Sequence, residues 1–325
     1  MTQANRHSRQ PTPDQGTRVS VAELIRLRSE ARRLHGSPTD TVSSLFPGVY
    51  RTLFKGRGIE FDETRGYQWG DDFRTLDWRV TARTGQLHTK LFQEERERTL
   101  YLLLDAGPTM QFGTRRQFKW VLAARVAALF AWLAVACGDR VGGALFGASS
   151  AVRLIPPGRG EAGVRRLFHL LAATPTPFAG TPSGPGEALL HLRRLAHPGS
   201  LILLLSDFSR LETQAREQLA YLGRHSEIAA IQIFDPLERS LPPAGLYPVT
   251  DGIHQALLDS RDPLHSDAYA TRFTQRQAAL RQLFNRYGAR LISISTDQPL
   301  LTGLRHALRP PDRANPRPAR RPGRP

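Results

Sequence analysis

Two aspartates and two threonines are the side chains in this chain best suited to hold a hard cation. Asp105 opens Asp105-Ala106-Gly107-Pro108-Thr109, directly after the apolar run that ends TLYLLLD (99–105). Thr181 lies in the loop Ala179-Gly180-Thr181, and Asp207 ends a second apolar run, LILLLSD (201–207). A strand-end carboxylate can share a site with the hydroxyl of Thr109, four residues on, if the chain curls back. Converged, the set offers two carboxylates and two hydroxyls, hard oxygen ligands that suit Mg²⁺ or Mn²⁺ with water filling the shell. Each aspartate alone reads equally well as a helix cap or turn-maker. It is the joint placement of Asp105, Thr109, Thr181 and Asp207 that points to a metal.

The elements that must position these residues follow from hydrophobic periodicity. Continuous apolar runs ending in aspartate, at 99–105, 201–207 and 227–235 (EIAAIQIFD), have the pattern of fully buried strands. Further strands are expected within 138–147 and at 289–296, and a strand over 86–93. Helices are expected at 20–35, 115–136, 161–172, 187–196, 212–223, 271–287 and 298–308, with Ser20 and Glu23 at capping-box spacing. Residues 173–186 read as a Thr/Pro/Gly loop, and 236–270 as irregular with a hairpin around Val249–Leu258. Strands alternating with helices in this way predict an α/β fold, a mostly parallel sheet with helices on both faces, preceded by a strand- and turn-rich segment. Open sheets of this kind bind ligands at the carboxyl edge, where the three aspartates fall. The organisation expected is a disordered 1–18, an N-terminal helix and signature segment over 19–98, an α/β domain over 99–308 and a disordered Arg/Pro-rich tail over 309–325.

The chain has 325 residues, 40% hydrophobic and 23% charged, which excludes a disordered chain, a collagen-like fibre or a disulfide scaffold. The single cysteine, Cys137, excludes an internal disulfide and a cysteine-based zinc site. Net charge is +16, and only Lys55, Lys90 and Lys119 are lysines among the 45 basic residues. Seven arginines and one acid in 305–325, and seven arginines against three acids in 1–37, carry most of that excess. Residues 1–15 lack the apolar core of a secretory signal, and the apolar run Val121 to Cys137 is interrupted by Arg125. That run reads as a buried core helix rather than a membrane span, and the location expected is the cytoplasm.

The stretch 57–83 mixes Arg57, Arg65, Arg74, Arg79 and Arg83 with Glu60, Asp62, Glu63, Asp71, Asp72 and Asp77. With six acids to five arginines, an internal ion-pair network with Trp69 and Trp78 as packing anchors fits better than a nucleic-acid surface. Catalytic signatures are missing. There is no G-x-S-x-G elbow beside Ser206-Asp207, no H-E-x-x-H, no P-loop and no dinucleotide fingerprint.

The D-x-G-x-T run, the Gly-Thr loop and the strand-end Asp207 resemble the metal-ion-dependent adhesion site (MIDAS) of von Willebrand factor A (vWA) domains, usually D-x-S-x-S, then Thr, then Asp. Gly107 stands where the first serine would be, which removes one side-chain oxygen. A longer signature is similar to that of the domain-of-unknown-function 58 family. It comprises Glu60-Phe61, then Arg65, Tyr67, Gly70-Asp71-Asp72, Arg74 and Asp77-Trp78, then Arg83, Glu94 and Asp235-Pro236-Leu237-Glu238. The resemblance spans roughly residues 40–300 and implies a vWA-like domain binding Mg²⁺ or Mn²⁺ through Asp105, Thr109, Thr181 and Asp207. It also implies a non-enzymatic adaptor or co-chaperone role beside a MoxR-type AAA+ ATPase, with a partner carboxylate completing the metal's shell. The rival readings are a metal-free interaction module, a nucleic-acid-binding protein using its arginine tails, and a hydrolase with a metal-bound water.

Overall fold

The protein was analysed as a computed structural model, which describes residues 16–35, 64–68, 76, 78–90, 98–173, 180–250 and 255–308. Of the signature residues, Glu60, Phe61, Gly70, Asp71, Asp72, Arg74, Asp77 and Glu94 lie outside these ranges, as do Trp69, the first 15 residues and 309–325. Arg65 is placed by its backbone alone.

Six strands form the central sheet: β3 (Thr99–Asp105), β4 (Arg140–Phe146), β5 (Arg153–Gly158), β6 (Leu201–Ser206), β7 (Glu227–Phe234) and β10 (Arg290–Ser295). Their order is β10-β7-β6-β3-β4-β5, and every pairing is parallel except β4 with β5. Numbered within the sheet this is 3-2-1-4-5-6, the doubly wound order, whose topological switch point lies between β3 and β6. The mostly parallel sheet expected from the sequence is therefore present. The antiparallel edge strand β5, RLIPPG, gave no strand signal because its two prolines and exposed positions break any apolar run. An edge position tolerates them, since proline there leaves no interior ladder bond unmade.

Alternate residues of each strand feed two cores. Leu100, Leu102 and Leu104 of β3 face one layer, and Tyr101 and Leu103 face the other. The first layer holds α1 (Val21–His35), α3 (Lys119–Ala136), α4 (Gly160–Ala172) and α9 (Leu300–Leu308). The second holds α5 (Pro185–Leu195), α6 (Thr213–Leu222) and α8 (Pro263–Arg286). A small sheet of β1 (Thr64–Gly66) and β2 (His88–Lys90) flanks α2 (Trp78–Thr84), and β8 (Leu246–Thr250) pairs with β9 (Gln255–Asp259) as the expected hairpin. The largest boundary shifts are at two helix starts. Helix α8 begins at Pro263 rather than 271, and α3 begins at Lys119 rather than 115. Trp78 is 67% exposed, so it does not serve as the packing anchor expected of it.

Helix α3 is apolar around its whole circumference because it is buried on all sides. Fifteen of its 18 residues are buried. Length and composition alone would let it cross a bilayer, more readily than the interrupted run suggested, but here it lies inside the core. Helix α1 covers its outer face. Leu24, Leu27 and Ala31 are buried against it, the Trp132 indole donates to the Leu24 carbonyl at 3.0 Å, and Glu23 pairs with Arg125 at 2.6 Å. The Glu23 side chain is thus used across helices, while its backbone N–H takes the Ser20 hydroxyl cap at 3.2 Å. Leu24 is 0% exposed, so Leu24→Ala is expected to cost about 2–5 kcal/mol in urea denaturation. A loss below about 1 kcal/mol would show that α1 is not an integral part of this core.

Candidate functional site

The site follows from strand register. The β3–β6 ladder pairs Leu104 with Leu205, so the next residues, Asp105 and Ser206, emerge side by side at the carboxyl edge. The Ser206 hydroxyl donates to Asp105 Oδ2 at 2.6 Å, and the Gly107 amide donates to Asp105 Oδ1 at 2.8 Å. Ser206 Oγ in turn accepts the Phe208 amide at 2.9 Å. Phe208 sits at φ +53°, held there by this bond and by edge-on packing on Phe284 of α8. Across the crevice Gly147 has φ +85°, and a Cβ on it would lie 2.7 Å from the Gly107 amide nitrogen. That approach demands glycine at 147, because both the backbone conformation and the space refuse a side chain.

Asp207 turns the other way. Its Oδ1 accepts the Ser209 amide at 2.8 Å, and its Oδ2 lies 2.7 Å from the Lys119 ammonium at the start of α3. Lys119, 1% exposed, is also 2.7 Å from Glu238 Oε1. Glu238 belongs to the short helix α7 (Pro236–Arg239), and its Oε2 accepts the Asp235 amide at 3.0 Å in a capping box. Asp235 is the helix cap that the sequence left open as one reading of every strand-end aspartate. Both its oxygens are taken, by the Thr114 hydroxyl and the Leu237 amide on one side and by the Thr114 amide and the Thr296 hydroxyl on the other.

Of the four expected metal-site residues, Asp105 and Asp207 stand at the ends of adjacent strands on one edge. Thr109 joins them through Ser209, with 3.4 Å between the two hydroxyl oxygens. Thr181 is exposed, and none of the bonds that hold Asp105, Thr109 or Asp207 comes from it. The buried hydroxyl of its loop is Ser183, which accepts the Gly147 amide at 3.2 Å. Among the described residues no group of three or more His, Cys, Asp and Glu is placed to hold a metal ion. Lys119 was missed as a site residue. Its signal was available: a lysine kept at the head of an apolar helix in a chain whose other basic residues are almost all arginine.

Charge follows geometry. Burial pushes the Asp105 carboxyl up to about 6, with the Ser206 hydrogen bond opposing and the Asp207 charge assisting. Burial acts the same way on Asp207, but the Lys119 ammonium and the Ser209 bonds outweigh it and hold that carboxyl below its usual range. For Asp235 likewise, hydrogen bonds from Thr114, Thr296 and the Leu237 amide outweigh burial and keep the acid ionised.

The architecture is a doubly wound α/β sheet with carboxylates and hydroxyls gathered at its switch point. The chain belongs to the family described as protein of unknown function DUF58, which matches residues 63–282. It is 29% identical over 280 residues to the uncharacterized protein Rv1480 of Mycobacterium tuberculosis, covering 86% of this chain and 88% of that one. A 41-residue stretch is 51% identical to the uncharacterized protein YeaD of Bacillus subtilis, 13% of this chain and 10% of that one. Similar solved structures include the conserved hypothetical protein BatB from Bacteroides thetaiotaomicron, at 14% identity and TM-score 0.35 over 59% of this chain and 98% of that one. Another is a von Willebrand factor type A protein from Catenulispora acidiphila, at 12% identity and TM-score 0.31 over 46% of this chain and 35% of that one.

The raised Asp105 carboxyl makes a signed prediction. A folded-state value of about 6, above the ordinary 3.8, means the fold holds this proton better than the unfolded chain does. The stabilisation is complete below the ordinary value and is lost as pH rises through about 6. Asp105→Asn keeps an acceptor for Gly107 and removes the charge. Relative to wild type it should gain roughly 2–3 kcal/mol in denaturant melts between pH 4 and pH 7. A difference that does not change with pH would contradict the assignment.

Proposed function

We propose that this chain is a non-enzymatic, cytoplasmic vWA-like adaptor or co-chaperone that acts beside a MoxR-type AAA+ ATPase, with the carboxyl edge as its docking surface. One observation carries the non-enzymatic part. At Asp105, Asp207, Asp235 and Glu238 every carboxylate oxygen already has a hydrogen-bond or ion-pair partner. A general base must have an oxygen aimed at a proton it will remove. Carboxylates partnered in this way make a rigid, pre-organised rim, which suits recognition because little ordering remains to be done on binding.

The ATPase partner rests on the family resemblance. The rim residues that could meet such a partner are Thr109 and Ser209, whose hydroxyls lie at the mouth of the crevice, and the exposed Thr181. The expected Mg²⁺ or Mn²⁺ at Asp105, Thr109, Thr181 and Asp207 fits these side chains poorly. Gly107 brings no hydroxyl, and an ammonium already sits on Asp207. No step of this reading passes through a metal.

The test is direct binding between the full chain and the purified MoxR-type ATPase of the same organism, by surface plasmon resonance with ATP present. A saturable complex is expected, and Thr109→Arg at the rim should weaken it about tenfold or more. Absence of any complex would remove the partner, and a complex indifferent to Thr109→Arg would move the docking surface elsewhere.

A further inference from the structure

The cation expected at the acidic edge was Mg²⁺ or Mn²⁺, held by Asp105, Thr109, Thr181 and Asp207. We propose that Lys119 holds the place of a divalent ion: its ammonium is the permanent cation of this site, and the wild-type edge binds no Mg²⁺ or Mn²⁺. The inference does not depend on the ATPase partner.

Position is the first argument. Lys119 heads α3, is buried, and reaches 2.7 Å from both Asp207 Oδ2 and Glu238 Oε1. Its charge therefore sits between carboxylates from two separate elements, the end of β6 and the helix α7, as a bound cation would. Existing partners are the second. The other oxygen of Asp207 accepts the Ser209 amide, and both oxygens of Asp105 are taken by Ser206 and Gly107. A divalent ion would have to share those oxygens with their donors while standing beside a buried ammonium of like charge. The remaining ligands are the third argument. Gly107 has no side chain, and the Thr181 hydroxyl lies on an exposed loop whose buried hydroxyl, Ser183, serves the Gly147 amide.

Residue type agrees with geometry. Lysine is used at only three positions against 42 arginines. A compact ammonium presents donors in several directions to separate carboxylates, whereas the planar guanidinium fork matches a single carboxylate face on. An arginine-biased chain that keeps lysine here is using the point charge.

The experiment is thermal unfolding and titration calorimetry of the full chain with Mn²⁺ and, separately, with EDTA. Wild type should show the same Tm in both and no heat of Mn²⁺ binding. Lys119→Met leaves Asp207 and Glu238 uncompensated. It should lower Tm by about 6–12 °C, and Mn²⁺ should restore part of that loss because the vacated carboxylates now accept an ion. The double variant Lys119→Met/Asp207→Asn should regain stability without Mn²⁺ and lose the response to it. That variant also carries the test if Lys119→Met alone does not fold. Saturable Mn²⁺ binding by wild type that Asp207→Asn abolishes would overturn the proposal, as would a Lys119→Met chain with unchanged Tm.

Discussion

A buried ammonium shared by two carboxylates is the interaction on which the carboxyl edge depends. Lys119, Asp207 and Glu238 come from three separate elements, α3, the end of β6 and α7. Taking such charges out of water costs several kcal/mol per ion, and only close geometry with further hydrogen bonds offsets that. Here the offset is visible: Asp207 also takes the Ser209 amide, and Glu238 takes the Asp235 amide. The arrangement brings little net stability compared with an apolar filling, but it tolerates few alternatives. Displacing Lys119 strands two carboxylates at once. It therefore holds α3 in one position relative to the strand ends.

The network spreads from that pair across most of the sheet's carboxyl edge. Glu238 is fixed by Asp235, which gathers Thr114 from the loop before α3 and Thr296 from the end of β10. The Asp207 carbonyl accepts Arg276 of α8 at 3.1 Å. On the other side Asp105 is locked by Ser206 and Gly107. The switch point of a doubly wound sheet opens a crevice because neighbouring connections leave in opposite directions. In this chain the crevice is lined by polar groups that satisfy one another, with hydroxyls of Thr109 and Ser209 at its rim.

The N-terminal helix has a comparable constraint. It covers α3, whose circumference is apolar, and is tied by the Trp132–Leu24 hydrogen bond and the Glu23–Arg125 ion pair. Arg28 lies 5.0 Å over the Trp132 ring and pairs with Glu161 of α4 at 2.7 Å. The helix that positions Lys119 at its first residue is thereby enclosed between the sheet and α1. Packing at one end of α3 and ion pairing at the other act on the same rigid rod.

The sequence by itself determined the strands that carry the site and their order along the chain. Runs such as TLYLLLD and LILLLSD are apolar on both faces, and only a strand covered by helices on both sides can bury them. It also determined that Asp105 and Asp207 would surface at one edge, because parallel strands all end on the same side. Three things were decided only by tertiary structure. Proline-bearing β5 became a strand because an edge was available to it. Asp235, whose cap the following Pro236-Leu237-Glu238 already signals, became the meeting point of Thr114 and Thr296, 121 and 61 residues away. Lys119 became the counter-charge of Asp207, 88 residues away. Periodicity reports how a residue relates to its own element, over spacings of two to four. Which charges meet depends on how elements pack, and no local pattern contains that distance.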